Sequence, residues 1–276
     1  MTQVVGLCRF SYPAAGGFQR IHETNEERRA YLYADARLTL RFRLFESFCL
    51  PSIANQTDTD FTFIILIGTD LPLWAKERLH TLTRPYPWIQ IVAKPTQRHR
   101  DITAEVINEA ITQKGQPALQ FRLDDDDAVN VEFVELAKAN AAALAPAMSE
   151  VPSFAIDYCA GFSATIHSDG LHIEPVTQTL WTPALAAVFK RSGDRTIMNF
   201  GHHKLFKSMP VVSYCNRTMF IRSFHTDNDS VRDTRNIVTT AALDDDMASV
   251  MKDTFGIDYD RIKQIWSDAY SIVPEA

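Results

Sequence analysis

Four consecutive aspartates, Asp124 to Asp127, follow the run Ala118-Leu119-Gln120-Phe121-Arg122-Leu123. Adjacent carboxylates repel one another, and an ordinary turn does not need four of them. A divalent cation such as Mn2+ or Mg2+ reverses that repulsion, because a hard ion prefers oxygen ligands. The plainer alternative is a solvated acidic turn. The strand pattern in front of the run favours the metal. If the extended geometry persists, Asp124 and Asp126 point the same way and Asp125 and Asp127 face elsewhere. Asp126 is then the direct ligand, and Asp124 suits a ribose or a water-mediated metal contact. An EF-hand fits poorly. Asp124 and Glu135 have its end-to-end spacing, but Ala128 and Val129 stand where it needs a ligand and a sharp-turn glycine.

Histidines are the other candidates. His225 lies in the cluster Arg222-Ser223-Phe224-His225-Thr226-Asp227-Asn228-Asp229, after the apolar stretch Met219 to Ile221. A lone histidine is more often structural. Here the aspartates supply a reason for a late third ligand, and His225 is assigned to the metal. His202 and His203 are adjacent, and with Asp157 they are candidates for a general base. The residues do not choose among the three. The basic segment Gln97-Arg98-His99-Arg100 precedes a helical pattern, where a phosphate is welcome at the helix start. Its alternative is a solvated loop. Asp70, after a predicted strand, suits a base or ribose, or else a turn. Arg9 belongs to the same predicted edge. Arg122, two residues before Asp124, either neutralises the carboxylates or touches a nucleotide. Asp244-Asp245-Asp246 reads as a capped helix start.

The elements that must position these groups follow from periodicity. Strands are predicted at Val4 to Phe10, Phe61 to Ile67, Ile89 to Ala93 and Ala118 to Leu123. The second is a continuous apolar run, as in a strand buried on both faces. Pro13, Gly16 and Gly17 mark a turn-rich stretch after the first strand. Glu26 to Phe48 is helical, with Leu38, Phe42, Phe45 and Cys49 on one face, and Pro51 is expected to end it. Helices follow at Leu73 to Leu82, at Ile102 to Thr112 with Asp101 as cap, and at Val131 to Leu144. The alternation implies an α/β protein with a mostly parallel sheet flanked by helices. Ligands of such sheets bind beyond the carboxyl ends of the strands. Arg9 to Tyr12, Gly68 to Asp70, Pro95 to Arg100 and Asp124 to Asp127 converge there. The second half is more irregular. It has a strand at Phe154 to Cys159, a hairpin around Ser168-Asp169-Gly170 and a helical tail from Asp258 to Tyr270. The 276 residues are expected to form one domain, with a donor-side half over 1–130 and an acceptor-side half over 131–276.

Bulk properties exclude several classes. Hydrophobic residues make up 46% and charged residues 22%, ordinary for a globular chain. A net charge of −6 argues against nucleic acid as a partner. Four widely spaced cysteines form no C-x-x-C pair. Cys8, Cys49 and Cys159 sit in apolar runs and read as buried thiols, which suits a reducing compartment. No signal peptide and no transmembrane run is visible, so a cytoplasmic protein is expected, with peripheral membrane contact allowed. The serine hydrolase, zincin, Walker A and dinucleotide motifs are absent from the sequence.

Leu50-Pro51-Ser52-Ile53-Ala54-Asn55-Gln56-Thr57, followed by the strand at Phe61, resembles the opening of GT-A-fold glycosyltransferases. Leu123 to Asp127 resembles their DxD motif. Together with Arg9-Phe10-Ser11, Arg122 and Phe224-His225-Thr226-Asp227-Asn228, these segments look like a rhamnosyltransferase family of bacteria. Thr226 stands where that pattern has a glycine. The resemblance covers most of the chain. It implies a GT-A-like (Rossmann-like) sheet and a divalent metal. It also implies transfer of a sugar, rhamnose by the family's label, from a nucleotide-diphosphate sugar to a hydroxyl on a glycan or other acceptor. Surface polysaccharide or glycoconjugate synthesis is the expected setting. A phosphatase of the haloacid dehalogenase type is the enzyme rival, since Leu-Asp-x-Asp after a strand also fits its nucleophile motif. That motif normally follows the first strand, and Ala128 stands where threonine or valine is usual. A sugar-nucleotide-binding protein without turnover is the non-enzyme rival.

Overall fold

A computed structural model of the chain describes residues 2–15, 24–167, 169–191, 195–225 and 243–267. The expectations for Gly16, Gly17, Ser168, Thr226 to Asp229 and residues 268–270 lie outside these.

The apolar run at the start forms β1 (Gln3–Arg9). Its residues alternate between two cores, Val4 and Cys8 on one face of the sheet, Val5 and Leu7 on the other. Helices α1 (Asn25–Leu32) and α2 (Asp35–Leu44), a π turn (Phe45–Cys49) and α3 (Leu50–Ala54) follow. Leu38, Phe42 and Phe45 are fully buried, each contributing about 2–3 kcal/mol of apolar burial. The single long helix expected over Glu26 to Phe48 is therefore broken at Tyr33, and Pro51 does not end it. The Leu50 N–H reaches back five residues to the Phe45 carbonyl. This wider turn leaves Pro51 in the first turn of α3, where a missing N–H costs little.

Strands β2 (Thr62–Gly68), β3 (Ile89–Lys94) and β4 (Ala118–Arg122) alternate with α4 (Leu73–Thr83) and α5 (His99–Ala110), close to the expected spans. Asp101 is not the cap of α5. Arg98 holds that position, and Asp101 lies in the first turn. The helix starts early because the loop before it is pinned to the loop after β1. Ala15 N–H donates to the Gln97 carbonyl (2.8 Å) and His99 N–H to the Ala15 carbonyl (3.2 Å).

Then come β5 (Ala128–Val129), α6 (Phe133–Leu144), β6 (Ser153–Tyr158), β7 (Ala160–His167), β8 (Gly170–Thr177) and β9 (Leu185–Phe189). The chain continues through 3-10 turns at Ile197–Asn199 and His202–Lys207 to β10 (Val211–Tyr214) and β11 (Phe220–Phe224). The last described elements are α7 (Asp245–Phe255) and α8 (Tyr259–Trp266). Asp244 caps α7, as the acidic triplet suggested.

Among the described residues the strands form two sheets. The larger has the order β10-β6-β9-β4-β1-β2-β3, and the smaller β5-β11-β7-β8. The larger is parallel except for β9, which runs antiparallel to both β4 and β6. This is the expected mostly parallel α/β sheet. At Gly6 a Cβ would lie 2.3 Å from the Phe121 ring, so only glycine lets β1 and β4 carry that ring between them.

One cysteine expectation is corrected. Cys159 is not a free thiol but is bonded to Cys215. The sequence gives no hint of this, because 56 positions separate the pair. They meet because β6 and β10 are parallel neighbours whose carboxyl ends lie side by side. A disulfide belongs to oxidising surroundings, so the cysteines no longer support a reducing compartment. Cys8 and Cys49 are buried thiols, as expected. Among the described residues no helix is long and apolar enough to cross a membrane.

Candidate active site

Beyond β4 the Leu123 N–H still bonds the Leu7 carbonyl (3.1 Å), and then the chain turns. Asp127 N–H donates back to the Asp124 carbonyl (3.2 Å). The strand alternation expected through the aspartates therefore does not persist. The turn returns Asp127 to the side of Asp124, and Asp124, Asp126 and Asp127 each offer an oxygen within 4.8 Å of the others. Asp125 points to Arg41 of α2, which grips both its oxygens and reaches Asp126 Oδ2 (3.2 Å).

Strand β11 supplies the other wall. It pairs with β5, which directly follows the aspartates, so its register is fixed to the turn. Arg222 bonds Asp127 (2.6 Å) and lies 3.5 Å from Asp124. The Ser223 N–H donates to Asp127 Oδ1 (3.1 Å). His225 Nε2 lies 2.7 Å from Asp126 Oδ2 and 3.2 Å from Arg41. Arg9, at the end of β1, lies 3.6 Å from Asp124.

These neighbours separate the carboxyls. Burial would raise Asp126, but Arg41 and the hydrogen bond from His225 overturn it and hold the group far below the usual range. Asp124 is lowered as well. Burial opposes this, and Arg122, Arg9 and Arg222 prevail. Asp127 goes the other way: burial and its two aspartate neighbours raise it despite Arg222. Asp124 is the most open of the three and Asp127 is fully buried. The oxygen donors on Asp124 and Asp126 thus fit a hard divalent cation, with His225 beside them as a nitrogen donor. Asp127 is held as a partner of Arg222 and of the β11 backbone.

The remaining candidates spread around this centre. Arg122 donates to Thr182 (2.7 Å). Asp70 is tied to Arg29 (2.7 Å) and Tyr33 (3.0 Å) of α1 and its cap, a turn-bracing arrangement. Arg98 and Arg100 are exposed at the start of α5. Asp157 is buried, which raises its pKa, and it accepts from Ser213 (2.9 Å) and from the Leu180 N–H (3.0 Å). His202 Nδ1 lies 2.5 Å from the Leu180 carbonyl. A carbonyl only accepts, so Nδ1 carries the proton and Nε2 keeps a lone pair. Burial lowers its pKa. His203 is exposed, edge-on to His202 at 5.2 Å. Leu180 and Ala184 both adopt left-handed φ angles (58° and 57°). Non-glycine residues adopt such angles at a cost of about 1–3 kcal/mol, and here Asp157, His202 and Arg122 hold the loop between them.

Sequence reading missed Arg41 and Arg222. Arg41 had a signal: it sits on the apolar face of α2 between Leu38 and Phe45, and arginine is almost never buried without a partner. Arg222 had none, since the pairing of β11 with β5 is a long-range event.

An aspartate turn at the carboxyl end of the fourth strand, in a mostly parallel sheet interrupted by one antiparallel strand, is the arrangement that the resemblance to GT-A-fold glycosyltransferases implies. A family model described as "Putative rhamnosyl transferase" matches residues 3–237, and the chain belongs to that family. A search of curated proteins gives no match. Among solved structures the chain is similar to S. aureus TarS 1-349, at 11% identity over 80% of this chain and 60% of that one, with a TM-score of 0.40. The same protein in complex with UDP-GlcNAc is similar at 10% identity over 97% and 71%, with a TM-score of 0.42. A 4-diphosphocytidyl-2C-methyl-D-erythritol synthase from Anaerococcus prevotii is similar at 12% identity over 77% and 87%, with a TM-score of 0.35. The chain thus spans 60% of the length of the first of these. The phosphatase rival finds no support.

Proposed function

We propose that this glycosyltransferase moves a sugar, rhamnose by the family's description, from a nucleotide-diphosphate donor to a hydroxyl of a glycan or other acceptor. The setting is surface polysaccharide or glycoconjugate synthesis. One observation carries the reading. Asp124, Asp126 and Asp127 converge within 4.8 Å at the carboxyl end of a central strand, inside a ring of arginines. Such a ring suits an anionic ligand that brings its own cation.

Asp124 and Asp126, with His225 in reach, would hold Mn2+ or Mg2+. When bound, that ion neutralises charge on a departing diphosphate. Arg9 and Arg122 face the same anion and orient it. Arg98 and Arg100 add positive charge at the mouth. Asp70 is a weaker candidate for the nucleotide, because Arg29 and Tyr33 already occupy it. His202 is the favoured base. Its protonated Nδ1 is committed to Leu180, which leaves the Nε2 lone pair for an acceptor hydroxyl. Asp157 orients that loop from below, and His203 is the alternative. The halves 1–130 and 131–276 would carry the donor and acceptor sides of one domain.

The test is hydrolysis and transfer with a panel of nucleotide sugars, dTDP-rhamnose among them, with Mn2+, Mg2+ or chelator. Slow metal-dependent release of nucleoside diphosphate is expected, and His202→Ala should lower the rate at least a hundredfold. No release from any donor would leave a binding protein in place of an enzyme.

A further inference from the structure

Among the buried polar atoms around the aspartate turn that have no hydrogen-bond partner are His99 Nε2 and Arg122 Nε. Leaving such atoms unpaired is costly, and a native fold that does so usually completes them with a ligand or ordered water. His99 opens α5, which packs across β1 and β2. Its backbone is already committed. The N–H donates to Ala15, and the carbonyl accepts from Thr103 (2.7 Å). The main chain is therefore fixed at the start of the helix, and the buried Nε2 of the ring is left without a partner.

We infer that His99 Nε2 reads the nucleoside part of the donor, through a ribose hydroxyl or the polar edge of the base, and so contributes to nucleotide choice. This rests on the reading that the cleft takes a nucleotide-diphosphate donor.

Three points separate His99 from the phosphate-binding groups. Charge comes first. Burial of the ring, with Arg9, Arg122 and Arg100 acting in the same direction, pushes it down to about 3. It stays neutral at working pH and adds no charge to an anion. The arginines around it already supply that charge. Position comes second. The metal-binding oxygens lie at the end of β4, whereas α5 follows β3, packs on β1 and β2, and has its start bridged to the loop after β1. A donor anchored by its diphosphate at Asp124 and crossing the end of β1 brings its nucleoside to α5. Chemistry comes third. A neutral imidazole nitrogen makes one directional hydrogen bond, which suits a hydroxyl, carbonyl or imide. A buried group of that kind discriminates strongly against ligands that lack the partner.

The experiment is calorimetric titration of the full chain with Mn2+ present. The ligands are pyrophosphate and the four diphosphates UDP, dTDP, GDP and CDP. Wild type is compared with His99→Ala and His99→Asn. The expected result is a loss of about tenfold in affinity for the preferred nucleoside diphosphate in H99A. Pyrophosphate affinity should be unchanged, and H99N should recover part of the loss because its amide also makes a neutral hydrogen bond. Preference among the four bases or their riboses should narrow in H99A. Equal losses for pyrophosphate and nucleoside diphosphate would make His99 a phosphate contact or a packing residue and overturn the proposal. Unchanged affinity for all ligands would overturn it too. In both cases the donor reading survives, because wild type still binds. A wild type that binds neither pyrophosphate nor any nucleoside diphosphate overturns the donor reading itself.

Discussion

At the scale of single residues, the centre is a balance of charges that a cation can tip. Asp126 is held ionised by Arg41 and His225, with the backbone of the turn fixed independently. Asp126→Asn should abolish the extra thermal stability that UDP and Mn2+ confer together. Without ligands the variant should be less stable than wild type, because the carboxylate that Arg41 and His225 hold ionised is lost, so the ligand effect is read within each variant, with and without UDP and Mn2+. A variant still stabilised by the metal and nucleotide together would remove Asp126 from the ligand set. A second prediction concerns pH. The folded chain refuses a proton on His99 until about pH 3, whereas the unfolded chain takes it near pH 6.5. Stability is thus fullest above pH 6.5 and falls as the pH drops towards 3, by about 1.4 kcal/mol per unit for this one ring. Urea midpoints between pH 7 and 5 should show the slope, and His99→Gln should flatten it by that share. An unflattened slope would mean that the ring is solvated. The sequence made the aspartates, His225, Arg9 and Arg122 legible because their types are unusual beside an apolar run. It did not show which aspartate turns back, since a four-residue turn and a continued strand read alike. Nor did it show the arginines that hold them, because those come from α2 and β11, far away in the chain.

At the scale of elements, β11 is the piece that completes the site, and its position is set by close approach to β7. The two strands are parallel, with Phe220 opposite Gly161. A Cβ on Gly161 would lie 2.4 Å from the Phe220 carbonyl oxygen, a backbone atom that cannot swing aside. Gly161→Ala should therefore push β11 away from β7, costing about 1–3 kcal/mol as overpacking does. Arg222, Ser223 and His225 would move with it. Activity should fall more than stability does, and metal affinity should fall with activity. Full activity in this variant would mean that β11 does not position the ligands. The first four strands and the helices between them were readable because each carries its own period. Strand β5 was not, since two residues make no pattern and its partner lies about 90 positions on. The π turn was hidden by a proline that normally signals a stop.

At the scale of the whole molecule, two of the chain's passages between the two sheets lie side by side. Strands β6 and β10 lie parallel in the larger sheet, and β7 and β11 lie parallel in the smaller. The chain passes from β6 to β7 at Cys159, and from β10 towards β11 at Cys215. The disulfide between these residues therefore staples both passages. It sits at the root of the strand that brings Arg222 and His225 to the aspartates. Backbone bonds already hold the crossings in the folded state. Cys159 N–H donates to Tyr214 (3.0 Å) and Met219 N–H to Ala160 (2.8 Å). The covalent bond should thus act mainly by restricting the unfolded chain. Closing a loop of 56 residues corresponds to about 4 kcal/mol on the chain-entropy estimate. The double variant Cys159→Ser with Cys215→Ser, or wild type kept reduced, should unfold at a clearly lower guanidinium midpoint than oxidised protein. Metal affinity and turnover at low temperature should be retained, because β11 keeps its hydrogen bonds. Equal midpoints would mean that the bond gives no net stabilisation. A loss of metal affinity with a native melting curve would mean that the staple holds β11 in place directly, and that its redox state governs the site.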